Sequence, residues 1–221
     1  MKLLTFDNSQ NMFSVAIKHK KKINYILKYS YKRNNSIILL MIDKILFRQS
    51  ILLKNINYIA FSNGPGSFTG IRMSIMLAQG LSFGLKIKLI GISNLKILAY
   101  KARQIIYKKN FLIIIQANKK NVYWGKYIYY KNNLILKNSE KFISKKIAYK
   151  KLKILKKKWI IVKDFSSDLF KKIKKKNIIL DIKNINALDI IPLALEYIQR
   201  KKTIKKNIIY PNYLNNIIIK K

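Results

Sequence analysis

The sequence predicts an α/β protein built as two related lobes. Three short strand-like runs open the chain and give way to helices alternating with strands. A second trio of strands starts near residue 110 and is again followed by helices and strands. Half of the 221 residues are apolar, enough to fill a sizeable core and too many for a disordered chain. The division expected from this repetition is 1–109 and 110–221, with the last segment a candidate for return to the N-terminal lobe.

KLLTFD, MFSVAI and INYILKYS read as strands, and the DNSQN between the first two has the Asn, Asp and Ser of a turn. Asn35–Phe47 has the length of a helix and carries apolar residues around most of its circumference, so it should be covered on two sides. Asn57–Ser62 reads as a strand, Ser67–Phe83 as a helix and KLIGI as a strand. SNLKILAYKARQIIYKK follows as a helix with Ser93 at its N-cap. In the second half FLIIIQAN is a buried strand, and NVYWGKYIYY and NLILKN form a hairpin. KKIAYKKLKILKKK is a basic amphipathic segment with a solvated face. WIIVKD and NIILDI are strands joined through a short helix. NALDIIPLALEYIQRKK is a helix that contains Pro192, and YPNYLNNIIIKK follows no regular pattern.

There is no cysteine, which excludes a disulfide framework and thiolate metal sites. The opening apolar run is ended by Thr5 and Asp7, too early for a secretory signal, and no run approaches the ~18 residues of a membrane span. A cytoplasmic protein that does not enter membranes is expected. The net charge of +39 points towards nucleic acid. Against that, only five of the 47 basic residues are arginine, although the guanidinium fork is the better phosphate partner. Lys, Ile, Asn and Tyr are inflated together and share A/T-rich codons, so most of the charge reads as codon bias over solvated faces.

Five of the seven glycines lie in or just beyond SNGPGSFTGIRMSIMLAQGL, Ser62–Leu81. A Walker A loop fails because Gly70 is followed by Ile71 and Arg72. The dinucleotide fingerprint fails because Gly64, Gly66 and Gly70 are spaced one residue too far. A nest of amides at a helix N-terminus stays open, but Pro65 has no N–H to donate. The other reading is structural: Gly64, Pro65 and Gly66 form a tight strand exit, and Ser67 or Thr69 caps a helix that begins near Gly70. Within that helix Gly80 and Gly84 each forfeit about 1 kcal/mol of helix propensity, which small residues at a close helix contact would explain. Met73, Met76, Leu77 and Leu81 supply adaptable apolar surface beside them.

LLTFDNSQNMFSVAI, SNGPGSFTGIRMSIMLAQGLSFG, IGISNLKILA, VYWGKY and PNYL, in this order and nearly end to end, resemble the TsaB (YeaZ) proteins of the bacterial machinery for threonylcarbamoyladenosine in tRNA. The resemblance implies the two-lobed, actin-like, ribonuclease-H-like (ASKHA) fold with mixed sheets and flanking helices. It implies a non-catalytic relative of TsaD, which transfers threonylcarbamoyl from its adenylate to the adenosine beside the anticodon, in tRNAs reading codons that begin with A. It implies binding to a TsaD-type subunit through two N-terminal helices, joined by a TsaE-type ATPase, with tRNA reached through the complex. Carried onto this chain, the partner face comprises Ile38, Met41, Ile42 and Ile45 of one helix and Arg72, Met73, Met76, Leu77, Gly80, Leu81 and Gly84 of the other. Alone, the chain is expected to form a homodimer through the same helices.

The catalytic relative holds a metal with two histidines and an aspartate. This chain has one histidine, His19, and eight carboxylates, so neither a metal, a cofactor nor catalysis is expected. Actin-fold kinases place a phosphate-and-metal carboxylate at the end of the first strand. Asp7 matches it and, with Asn8 and Ser9, is the candidate nucleotide contact; the alternative is a turn residue bonded to its own backbone. The family's Asp-Ala-Arg-x-Gly-Glu is replaced here by Gln116–Asn121, with neither the acidic residues nor the arginine. Two other functions fit the residues: a basic RNA-binding protein acting alone, and a nucleotide-hydrolysing actin-fold enzyme.

Overall fold

The computed structural model describes residues 1–9, 12–29, 36–131, 133–155, 158–165, 177–200, 210–212 and 214. β1 (Lys2–Asp7), β2 (Met12–His19) and β3 (Lys22–Tyr29) form an antiparallel meander. β4 (Tyr58–Ser62) pairs in parallel with the far side of β1, and β5 (Lys88–Ile92) with β4, giving the order β3-β2-β1-β4-β5. Burial follows position. β1 is enclosed from Leu3 to Asp7, while β3, at the edge, is largely exposed and carries Lys22 and Lys28, charges that discourage pairing with another chain.

The second sheet repeats the path. β6 (Asn110–Gln116), β7 (Asn121–Tyr130) and β8 (Asn133–Leu136) are antiparallel. β10 (Ile160–Lys163) and β11 (Ile178–Asp181) then add in parallel beside β6, giving β11-β10-β6-β7-β8. This is the ribonuclease-H-like unit of actin-like folds, present twice. β9 (Lys141–Ser144) also pairs with β7. Its four residues, KFIS, are too few to show alternation in the sequence, as is the single 3₁₀ turn at Leu53–Asn55. The helix expected between β10 and β11 falls on 166–176, outside the described residues.

The helices are α1 (Ser36–Phe47), α2 (Phe68–Leu85), α3 (Asn94–Ile105), α4 (Lys145–Lys153) and α5 (Ala187–Gln199). Strand alternation sorts the first sheet into two faces. Leu4, Phe6, Phe13, Val15, Ile59 and Phe61 meet α1 and α2 in one core. The opposite face presents Thr5, Asp7, Ser14 and Ser62, short side chains that let α5 close on the sheet by hydrogen bonds. Thr5 Oγ1 donates to the Ala187 carbonyl at 2.8 Å, and the Ala187 N–H donates to Ser14 Oγ at 2.9 Å. Asn186 and Asp189 form a reciprocal capping box at the start of α5, and Pro192 is accommodated in its interior.

The chain packs as two units, Met1–Asn94 with Ile185–Asn212, and Leu95–Asn184. The boundary drawn from the sequence at 109/110 lies at 94/95 in this division, and α5, within the last segment, groups with the first unit. From Leu95 onward α3 belongs to the second unit. Arg103 stacks over Tyr107 and Tyr129 at 3.8 and 4.4 Å, and Lys101 Nζ donates to the Asn184 carbonyl at 2.9 Å.

Candidate functional site

The glycine loop is bonded inwards. The Asn63 N–H donates to the Ile92 carbonyl, the Asn94 N–H to the Gly64 carbonyl at 2.8 Å, and the Asn212 N–H to the Asn63 carbonyl at 2.9 Å. Gly64 has φ +102°, a conformation that side chains disfavour, and it precedes Pro65 through a cis peptide. The Ser67 N–H donates to the Ser9 carbonyl, and Ser67 Oγ accepts from the Gly70 N–H, so Ser67 rather than Thr69 is the N-cap of α2. At Gly70 a Cβ would stand 1.9 Å from the Asn8 carbonyl oxygen, and at Gly66 2.9 Å from that of Ser9. The glycines thus let the start of α2 press on the end of β1. Two of the amides that a phosphate would need, those of Ser67 and Gly70, are occupied within the chain.

Under this loop lies Asp7, wholly buried, with Asn8 and Ser9 buried beside it. Asp7 Oδ1 accepts from the Ser9 N–H at 3.3 Å, the Ser9 hydroxyl at 2.7 Å and the Ser62 hydroxyl. Oδ2 has no hydrogen-bond partner among the described residues. Burial pushes the Asp7 carboxyl up to about 6, against the pull of the Ser62 and Ser9 hydrogen bonds and with a small upward push from Asp189. Ser62, 55 residues from Asp7 in sequence, is a member that strand pairing alone brings in. Among the described residues no group of three His, Cys, Asp or Glu could hold a metal.

The outer side of α1 and α2 is apolar and open. On α1 the inward stripe is Ile38, Met41, Ile42, Ile45 and Leu46, all in this chain's own core. Of the four α1 residues expected on a partner face, Ile38, Met41 and Ile45 face inwards, and Ile42, though buried, also borders the groove on the outer side. The large apolar residues that α1 exposes are Leu39, Leu40 and Phe47, the last two 65% and 85% exposed. The sequence held the signal: the inward stripe is uninterrupted, whereas the outward one includes Asp43 and Lys44. On α2 the expected residues split. Arg72, Met76, Gly80 and Gly84 are on the surface, while Met73, Leu77 and Leu81 are half-buried. Arg72 lies over the Phe68 ring at 3.7 Å. A Cβ at Gly80 or Gly84 would meet nothing within 4 Å, so among the described residues neither glycine serves a close contact. Leu39, Leu40, Phe47, Leu52, Leu53 and Leu81 line a groove of about 480 Å³ along these helices.

Residues 28–157 match the family described as "TsaD: tRNA N6-adenosine threonylcarbamoyltransferase". Proteins described as "tRNA threonylcarbamoyladenosine biosynthesis protein TsaB" align along most of the chain. That of Buchnera aphidicola subsp. Schizaphis graminum is 46% identical over 86% of this chain and 91% of its own, and that of Escherichia coli K12 is 28% identical over 100% and 98%. Among solved structures, "YeaZ from Pseudomonas aeruginosa" superposes with TM-score 0.76 at 25% identity over 90% of this chain and 93% of its own. A second structure, an "uncharacterized protein with similarity to peptidase YEAZ" from the same organism, reaches 0.81 at 25% identity over 97% and 99%. With the duplicated ribonuclease-H-like sheet and the inward-bonded glycine loop, these similarities show that the chain belongs to the TsaB (YeaZ) family.

Proposed function

We propose that the chain is a non-catalytic scaffold and activator in the threonylcarbamoylation of tRNA, binding a TsaD-type catalytic subunit through the outer face of α1 and α2, with a TsaE-type ATPase joining the pair. The observation that carries this reading is the apolar groove beside the two helices, where Leu40 and Phe47 stand in solvent although both are large hydrophobic residues. The sealed Asp7 supports the non-catalytic part, since a carboxylate with no exposed surface does not reach a metal-bound phosphate. The activity belongs to the complex, in the cytoplasm, and binding acts by favouring the competent conformation of the catalytic subunit. Without that partner, the same face pairs two copies of this chain.

The test is size-exclusion chromatography with light scattering on the chain mixed with the TsaD-type subunit of its host, at about 0.3 M salt to screen non-specific attraction. A stable complex is expected, lost with Leu40→Lys and with Gly80→Leu, a substitution whose side chain points into open space. No complex from the unmodified chain overturns the reading. Calorimetric binding of magnesium–ATP that vanishes with Asp7→Ala would restore the nucleotide-hydrolysing alternative.

A further inference from the structure

A cavity of about 340 Å³ lies in the second unit, lined by none of the residues of the glycine loop, the Asp7 cluster or the α1–α2 face. Its lining includes Lys126, Lys137, Lys141, Lys151, Trp124 and Trp159. Trp124 and Lys126 are two apart on β7 and so share a face. Lys137 is held against the same strand, its N–H donating to the Lys126 carbonyl at 2.8 Å. The Lys126 ammonium stands 5.8 Å from the Trp124 ring and 5.4 Å from the Trp159 ring. Lys141 comes from β9 and Lys151 from α4. Among the described residues no carboxylate lines the cavity. The nearby Glu140 accepts from the hydroxyl of Tyr127, which alternates to the other side of β7. Burial, followed by the charges of Lys151, Lys137 and Lys141, draws the Lys126 ammonium below the usual lysine range.

Codon bias scatters lysines over solvated faces. It does not account for a half-buried lysine between the only two tryptophans of the chain, with three more lysines on the same lining. Such a cavity is short of negative charge, and its wall is mostly apolar. A small inorganic anion would satisfy the charge and leave the wall wet. A duplex keeps its phosphates on a stiff convex cylinder with its bases turned away. A single strand offers a phosphate with a sugar and an unstacked base attached. We propose that this cavity binds single-stranded RNA, a phosphate drawn to Lys126, Lys137, Lys141 and Lys151 and the adjoining nucleoside lying against the apolar wall of Ile154 and Leu155, behind which Trp124 and Trp159 belong to the core and are only 4% and 5% exposed. This stands independently of the partner-binding role.

Because both tryptophans line the cavity, fluorescence excited selectively through tryptophan, and not through the 14 tyrosines, reports on it. The full chain is titrated with a decauridylate at about 0.2 M salt, where diffuse attraction is weakened. A saturable change in tryptophan fluorescence is expected. Replacing Lys126→Gln and Lys151→Gln together should weaken binding at least tenfold and reduce the slope of log K against log salt by roughly 0.7 per lysine. The equally neutralising pair Lys21→Gln and Lys22→Gln, at the β2–β3 turn, should cost less than twofold. Circular dichroism confirms folding, and if the first pair does not fold, Lys137→Gln alone takes its place with a smaller loss. Equal effects of the two pairs, or binding without a fluorescence change, overturn the proposal. So does a response to inorganic phosphate, adenosine monophosphate or duplex RNA as strong as that to the single strand.

Discussion

Asp7 is a carboxylate held among hydroxyls and fully buried from solvent. Its folded-state value near 6 lies above the 3.8 of an unburied aspartate, so between about pH 4 and 6 the folded chain binds the extra proton. Stability from this group is therefore greatest below pH 4 and falls as pH rises to 6, by about 3 kcal/mol. Asp7→Asn removes the ionisation and keeps the shape. Urea titrations at pH 4.5 and pH 7 should show the variant gaining on the parent chain at pH 7 and much less at pH 4.5. The position of Asp7 at the end of a strand was legible in the sequence. Its surroundings were not, because Ser62 reaches it only through the parallel pairing of β1 with β4.

At the scale of the element, α2 has two unlike ends. Its first turn is pressed against the end of β1 at Gly70, and its later turns stand clear at Gly80 and Gly84. Gly70→Ala should cost about 3 kcal/mol, since the clash is with backbone that has no rotamer to yield. Gly80→Ala should add about 1 kcal/mol, the propensity that glycine forfeits in a helix interior. Thermal melts of the two variants should move in opposite directions. A destabilised Gly80→Ala would mean that the outer face of α2 is not free in the isolated chain. The order of elements along the chain and the approximate positions of the helices were readable because apolar periodicity is strong in a chain so rich in isoleucine. The facing of α1 was misjudged, because a helix apolar on nearly every side has no polar stripe to orient it, and only Asp43 and Lys44 marked the outside.

For the whole molecule, the net charge of +39 opposes the pairing of two copies through the α1–α2 face. Self-association should therefore strengthen with salt, opposite to the trend for RNA. Sedimentation velocity at about 0.05 and 0.5 M salt should show more dimer at the higher concentration, where screening extends over a few ångströms only. Leu40→Lys should keep the chain monomeric at both, and a strictly monomeric parent chain at micromolar concentration would exclude the pairing. The repetition of strand order in the two sheets was visible as two similar strings of elements. The return of α5 to the first unit was not visible from periodicity alone, since it depends on Thr5 and Ser14 bonding to Ala187. That return also sets a timetable for synthesis. A nascent chain emerging from the ribosome offers Leu95–Asn184 as an uninterrupted segment, whereas the sheet made first stays bare on its Thr5–Ser14 face until Asn186–Gln199 has been translated. The oldest part of the polypeptide is thus the last to be completed, and a translational stall before Asn186 would hold that face open to chaperones and proteases.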